Sequence, residues 1–184
     1  VHAVPGNTEA PVVGWFGKVP ALGDFVVRRL PAGFRDRWDP WLSGGLVEGA
    51  ATLGEAWPDT YLAFPFWRFL WIEPPGTLAW AGVLAPGADR VGRLFPVTVV
   101  QAIGDPGLHV PSFDGLDRWM DDVEANLLAL LTDDDVEGFE HALRPLAASA
   151  AGRTPVASHE LGPSFEIDVD GATPAEIATA VALR

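Results

Sequence analysis

The sequence predicts one α/β domain: a mixed, largely antiparallel β-sheet flanked by helices on both sides. Three observations predict it. Short runs of β-branched and aromatic residues recur through the first hundred positions, separated by Gly and Pro clusters. Between and after them lie stretches whose apolar residues are spaced three and four apart. Finally, 48% of the 184 residues are hydrophobic, enough for one full-sized core, and no long linker divides them. Residues 1–11 are small and polar with two prolines and predict a flexible tail, leaving 12–184 as a single domain.

The elements follow in order. Val12 to Phe16 is a short apolar run closed by Gly17, a strand entering a turn, and Leu22 to Val27 is a second extended piece. Arg28 to Trp57 is helical in parts. Asp39 followed by Pro40 reads as a cap and first helical position, with Trp38, Trp41, Leu42, Leu46 and Leu53 on one side. Gly44 and Gly45 weaken or bend that helix, and Gly54 ends it. Phe66 to Ile72 and Leu78 to Leu84 form a hairpin around Pro74, Pro75 and Gly76. Leu94 to Ile103 is a third strand, apolar enough to be buried on both faces; Pro96, lacking an N–H, places its start at an edge or bulge.

The second half changes character. Leu116, Trp119, Met120, Val123, Leu127, Leu130 and Leu131 mark an amphipathic helix, capped by Ser112 or Asp114. Asp133, Asp134 and Asp135 begin another, with Val136, Phe139, Leu143 and Leu146 inward and Pro145 ending or kinking it. Ser164 to Val169 alternates as a strand. Thr173-Pro174-Ala175-Glu176 is a capping box that starts a final helix.

Charge excludes some functions. The net charge of −13 argues against nucleic-acid binding, which needs a basic face. Acidity is concentrated: 105–141 holds eleven acidic residues and one basic, whereas 14–93 holds eight of each. That half is a solvated face or an electrostatic docking surface for a basic partner. There are no cysteines, which excludes disulfides and thiolate metal sites and agrees with a reducing compartment. No charged segment followed by an apolar one opens the chain, so no signal peptide is expected. The most apolar stretch, Phe64 to Pro86, is interrupted by Arg68, Glu73 and the Pro-Pro-Gly turn, so no membrane insertion is expected.

The usual catalytic patterns fail on spacing. Gly14 and Gly17 before Lys18 have two residues between them where a phosphate loop needs four. His2, His109, His141 and His159 form no metal-ligand pair. Ser164 lacks the second Gly of a nucleophile elbow, because Glu166 stands there. No cofactor and no enzyme activity are expected. What remains is charge in apolar company: Lys18 and Asp24 within Gly14 to Phe25, Arg68 between Trp67 and Phe69, and Asp89, Arg90 and Arg93 within Asp89 to Val100. Such charges must be paired or hydrogen-bonded. One reading is structural ion pairs bracing turns; the other is an anion or partner site. Eight tryptophans, seven of them before residue 81, are core residues or an exposed recognition surface. Alternation puts Trp67 and Trp71 on one strand face and Arg68 on the other. The candidate interaction surface is therefore Trp15, Trp67 and Trp71, or the acidic helix carrying Asp117, Asp121, Asp122 and Glu124.

Five blocks in order carry a family resemblance: GWFGKVPALGDF (14–25), WDPWL (38–42), FPFWRF (64–69), WAGVLAP (80–86) and DRVGRLFPVT (89–98). Together they resemble the TagF (ImpM) family of type VI secretion accessory proteins. The resemblance implies a sheet with helices on both sides and a non-enzymatic cytoplasmic regulator. It implies post-translational repression of secretion through binding of the forkhead-associated (Fha) scaffold protein, separately from the threonine kinase and phosphatase route. The alternatives are a sensor or enzyme for a small anionic ligand clamped by Lys18, Arg68, Arg90 and Arg93, and a structural subunit of the apparatus.

Overall fold

The computed structural model describes residues 12–73, 78–104 and 113–150. Its elements are β1 (Gly14–Gly17), β2 (Val26–Arg28), α1 (Ala32–Leu53), a 3-10 turn (Gly54–Ala56), α2 (Trp57–Leu62), β3 (Trp67–Glu73), β4 (Leu78–Ala85), β5 (Val97–Gly104), α3 (Phe113–Asp133) and α4 (Val136–Ala150). The five strands form one sheet in the order β2-β1-β5-β4-β3, with every pair antiparallel. The expected tail, the turn at 74–76, the Ser112 cap, the strand at 164–169 and the capping box at 173–176 lie outside the described residues.

Strand alternation divides the core into two layers. Trp15, Ala81, Val83, Val97 and Val99 face one way and pack against Leu116, Trp119, Val123, Leu127 and Leu130 of α3 and Phe139 and Leu143 of α4. Phe16, Trp80 and Val100 face the other way, against Phe34, Trp38 and Leu42 of α1. Helices thus cover both sheet faces, and the central strand β5 is buried on both, as its apolar run predicts. Burying each of these large side chains contributes about 1.5–3 kcal/mol. The α1 layer is strongly aromatic. Trp38 stacks on Phe69 at 4.5 Å, and its Nε1 donates to the buried Thr98 hydroxyl at 2.9 Å. Gly82 makes this possible: it pairs with Phe69, and a Cβ there would stand 2.4 Å from the Phe69 ring.

Several expectations are corrected. Asp39 does not cap α1; the helix begins at Ala32, runs through Gly44 and Gly45 without interruption, and contains Pro40. Pro145 lies inside α4 and does not end it, which leaves the kink of the two expected alternatives. A proline leaves the carbonyl four residues earlier without its helical donor. Asp36 and His141, the residues concerned, are both exposed, so water can serve those carbonyls. Leu53 is 40% exposed rather than inward. Pro96 needs no edge or bulge, because β5 starts one residue later. The short α2, with Pro58 in its first turn and Tyr61 buried, was not read from the sequence. Gly54, at φ 55°, ends α1 as expected, and Asp135 caps α4 by accepting the Gly138 N–H at 2.9 Å.

Candidate functional site

The two blocks 14–25 and 89–100 meet at one carboxylate. Asp89, whose side chain is fully buried, opens a tight turn in which the Gly92 N–H donates to its carbonyl at 2.8 Å. Gly92, at φ 83°, takes the left-handed conformation that turn needs. Oδ1 accepts the N–H groups of Val91 (3.1 Å) and Arg93 (2.9 Å). Oδ2 takes Arg93 Nε at 2.6 Å and Lys18 Nζ at 3.3 Å. Burial alone would push the Asp89 carboxyl up. The hydrogen bonds from Arg93, Lys18 and Val91 outweigh it and lower its pKa to about 2.

The same turn is sewn to the first block. Arg93 Nη2 donates to the Gly23 carbonyl at 2.8 Å, and the Arg90 N–H to the Leu22 carbonyl at 3.1 Å. Lys18 Nζ also sits 4.8 Å from the Phe25 ring centroid, a cation–π contact. Behind the turn the buried Tyr61 hydroxyl bridges Gly87, accepting its N–H at 2.9 Å and meeting its carbonyl at 3.2 Å. Burial pushes this phenol well above its ordinary pKa, so it stays neutral as a donor.

Arg68 belongs to another group. On β3 it faces α3, where it pairs with Glu124 (2.7 Å), Asp121 (2.5 Å) and Asp117 (3.6 Å). The hydrogen bond to Glu124 is the chief reason its pKa is raised, with Asp121 adding to it against partial burial. A third node, missed in the sequence, is Glu140 on α4. It accepts Trp15 Nε1 at 2.5 Å, pairs with Arg29, and lies 3.9 Å from Arg28. Burial opposes its ionisation, but Arg29, Trp15 and Arg28 hold its carboxyl below the usual range. Arg29 has φ 55° and also donates to the Val13 carbonyl at 2.8 Å. The signal for this node was the Arg28-Arg29 pair leaving a strand, with one acidic residue beside the inward Phe139.

The sequence-selected residues therefore separate. Lys18, Asp89 and Arg93 come together; Arg90 and Asp24 lie exposed beside them, with no ion pair among the described residues. Among the described residues Asp24 accepts the Phe25 N–H, at 2.8 Å, and no cation, so the expectation that it pairs with the cations is corrected. Trp15 is wholly buried, edge-on to Phe139 at 5.3 Å, and presents nothing to a partner. Trp67 and Trp71 are half-buried on the α1 face, and Trp71 packs against Phe34 at 5.2 Å. Asp117, Asp121 and Glu124 are gathered on Arg68, while Asp122 remains exposed.

The four cations do not converge on one cavity. An open depression of about 560 Å³ is lined by Phe16, Phe25, Val27, Arg35, Asp36, Asp39 and Pro40. A smaller one, about 360 Å³, is lined by Arg28, Glu137, Glu140, His141 and Arg144 with Val136. Lys18, Arg68, Arg90 and Arg93 line neither. Among the described residues no cluster of three or more His, Asp or Glu side chains is placed to hold a metal ion. No helix among them is long and apolar enough to cross a membrane.

Residues 14–146 match the family described as the TagF N-terminal domain, type VI secretion system-associated. The chain belongs to the TagF family. The match spans both blocks, the Arg68 group and the Glu140 node. A solved structure, PA0076 from Pseudomonas aeruginosa PAO1, is similar at 35% identity with a TM-score of 0.64, covering 92% of this chain and 76% of its own. None of the curated proteins matches the chain. TagF membership makes this a type VI secretion-associated domain, and its sheet between two helical layers is the architecture that the resemblance implied.

Proposed function

We propose that this TagF-family chain is a non-enzymatic, cytoplasmic regulator that represses type VI secretion after translation by binding and sequestering the Fha scaffold protein. The observation that supports the reading is how the family-block charges are used. Lys18 and Arg93 close on Asp89, and Arg68 closes on α3, so three of the four cations brace the fold instead of opening toward a small anion, while Arg90 stands exposed apart from them. That counts against a ligand-clamping sensor or enzyme, which needs those charges convergent and accessible. Binding through a surface is left as the way such a domain acts on secretion.

Isothermal titration calorimetry of the full chain with the cognate Fha protein tests the reading, alongside a secretion assay in cells. The expected result is a stoichiometric complex at about micromolar affinity or better, with secretion restored when the complex is broken. No binding at tens of micromolar, together with intact repression in cells, would refute sequestration.

A further inference from the structure

We propose that the free edge of β3, with the acidic stripe of α3 beside it, is where an extended basic and apolar segment of the protein partner docks by adding a strand to the sheet. This rests on the reading above that the chain works by binding a protein, and it places the contact at one edge of the sheet.

The two edges of the sheet differ. β2 ends one side of the strand order and β3 the other, and among the described residues neither has a strand on its outer side. β2 has three residues and leads into Arg29, whose φ of 55° turns the chain out of line. It is a short, protected edge. β3 has seven residues, Trp67–Glu73, in unbroken register with β4, and no proline interrupts it. A long, regular edge of apolar and aromatic residues presents a row of unpaired N–H and C=O groups, which another strand can take up. Its side chains are not closed over. Leu70 is 46% exposed and Trp71 half-buried, whereas Ala81 and Trp80, opposite them on β4, are buried.

Charge says what fits there. Arg68, on the same strand face as Leu70, is gathered by Asp117, Asp121 and Glu124. Those three are spaced four and three apart along one side of α3, and Leu128, 60% exposed, follows four later. One arginine does not neutralise three carboxylates, and Asp117 and Asp121 stay more than 60% exposed. Counting Arg118 and Asp122 as well leaves two positive charges against four negative. On α1, Arg37 and Glu48 share the side of the helix that carries Trp41, and they cancel. The edge is therefore acidic on the α3 face and aromatic on the α1 face. A strand alternating Lys or Arg with apolar residues matches both, with its cations toward Asp117 and Asp121 and its apolar side chains beside Trp67 and Trp71. Two other occupants fit worse. An antiparallel joint between β3 of two copies brings two acidic stripes together, each on a chain of net −13. The chain's own 164–169 alternates Phe165, Ile167 and Val169 with Glu166 and Asp168, so with its apolar residues beside the tryptophans its acids would meet the α3 stripe.

Leu70→Lys and the double variant Asp117→Asn with Asp121→Asn test the proposal, because Glu124 still holds Arg68 in both and no buried residue changes. The Fha protein is titrated into the full-length wild type and variants by calorimetry, at low and high salt. Deuterium uptake of residues 67–73 is followed by mass spectrometry with and without it. Wild-type binding weakens with salt, uptake of 67–73 falls in the complex, and each variant weakens binding about tenfold or more. Thermal midpoints stay within about 3 °C of wild type; where one falls further, the wild-type uptake decides. Val91→Asp, in the Asp89 turn, changes affinity less than about twofold. Wild-type affinity in either edge variant, or unchanged uptake of 67–73 in the complex, overturns the edge while leaving the proposed function intact.

If the wild type does not bind the Fha protein, the proposed function fails, and the edge is judged by a second measurement. Amide exchange of the full chain is followed by NMR during titration with a synthetic peptide of alternating Lys and Val. Salt-sensitive protection within 67–73, lost in Leu70→Lys, sustains the docking edge. No protection there overturns it, as does equal protection by a peptide of alternating Glu and Val. Slow exchange of every β3 amide in the free monomer would mean that the chain covers its own edge, and it overturns the proposal too. Concentration-dependent self-association abolished by Leu70→Lys would assign the edge to a second copy and likewise overturn it.

Discussion

The Asp89 node and the Arg68 group are both clusters of arginine and carboxylate, yet they are built in opposite ways. At Asp89 one buried anion serves two cations and two backbone N–H groups, with Lys18 only 8% exposed. At Arg68 one half-exposed cation serves three carboxylates, two of them more than 60% exposed. Removing the first anion leaves a buried cation and orphaned turn donors with nothing to replace it. Removing the second cation leaves carboxylates that water solvates, at a cost that salt screens. Number of ion pairs says little about their consequence; burial and backbone hydrogen bonds decide it.

The comparison can be broken first by Asp89→Ala, for which the largest loss is expected. Thermal melts should fall by about 10 °C or more, with the loops around Gly23 and Val91 losing hydrogen-exchange protection first. Acid should act through the same group. The native Asp89 carboxyl titrates near 2, below its ordinary 3.8, so its contribution is complete above about pH 4 and is lost as the pH falls toward 2. Glu140, also held below its ordinary 4.5, shifts stability in the same direction. In acid titrations followed by tryptophan fluorescence, Asp89→Ala should lose the part of the wild-type transition that belongs to this window.

Glu140→Gln is expected to be intermediate. The amide still accepts the Trp15 Nε1 proton but gives up the charge that pairs with Arg29, for a cost of about 1–2 kcal/mol by denaturant unfolding. Arg68→Gln comes last, within about 1 kcal/mol of wild type. Should Arg68→Gln cost as much as Asp89→Ala, exposure would not be the deciding variable.

Much of the architecture was legible because it depends on periodicity. The three-and-four spacing from Leu116 to Leu131 and the near-continuous apolar run around Val97 to Val100 fixed both α3 and the central strand. Pro40 suggested a helix start and Pro145 a helix end, yet both lie inside helices, because the carbonyls they orphan can reach water. Asp39 had the chemistry of a cap, but Phe34, Trp38 and Leu42 carry the buried stripe of α1 past it. At the site, the spacing showed that Lys18, Asp89 and Arg93 needed partners, without showing that the two blocks supply them to each other, since sixty-odd residues separate them. Glu140 was hidden for the same reason: its partners, Trp15 and Arg29, lie more than a hundred positions away. Trp15 looked like a contact residue because composition does not tell a buried tryptophan from an exposed one.

The most direct test is the salt dependence of two stability deficits measured side by side. Urea unfolding of wild type, Asp89→Ala and Arg68→Gln is followed at about 0.05 M and about 1 M NaCl, where the screening length shrinks to about 3 Å, comparable with the separation of the exposed pairs. The Asp89→Ala deficit should persist nearly unchanged, while the Arg68→Gln deficit should vanish. A deficit at Asp89 that disappears with salt, like that at Arg68, would contradict the claim that this carboxylate is the buried brace joining the two blocks.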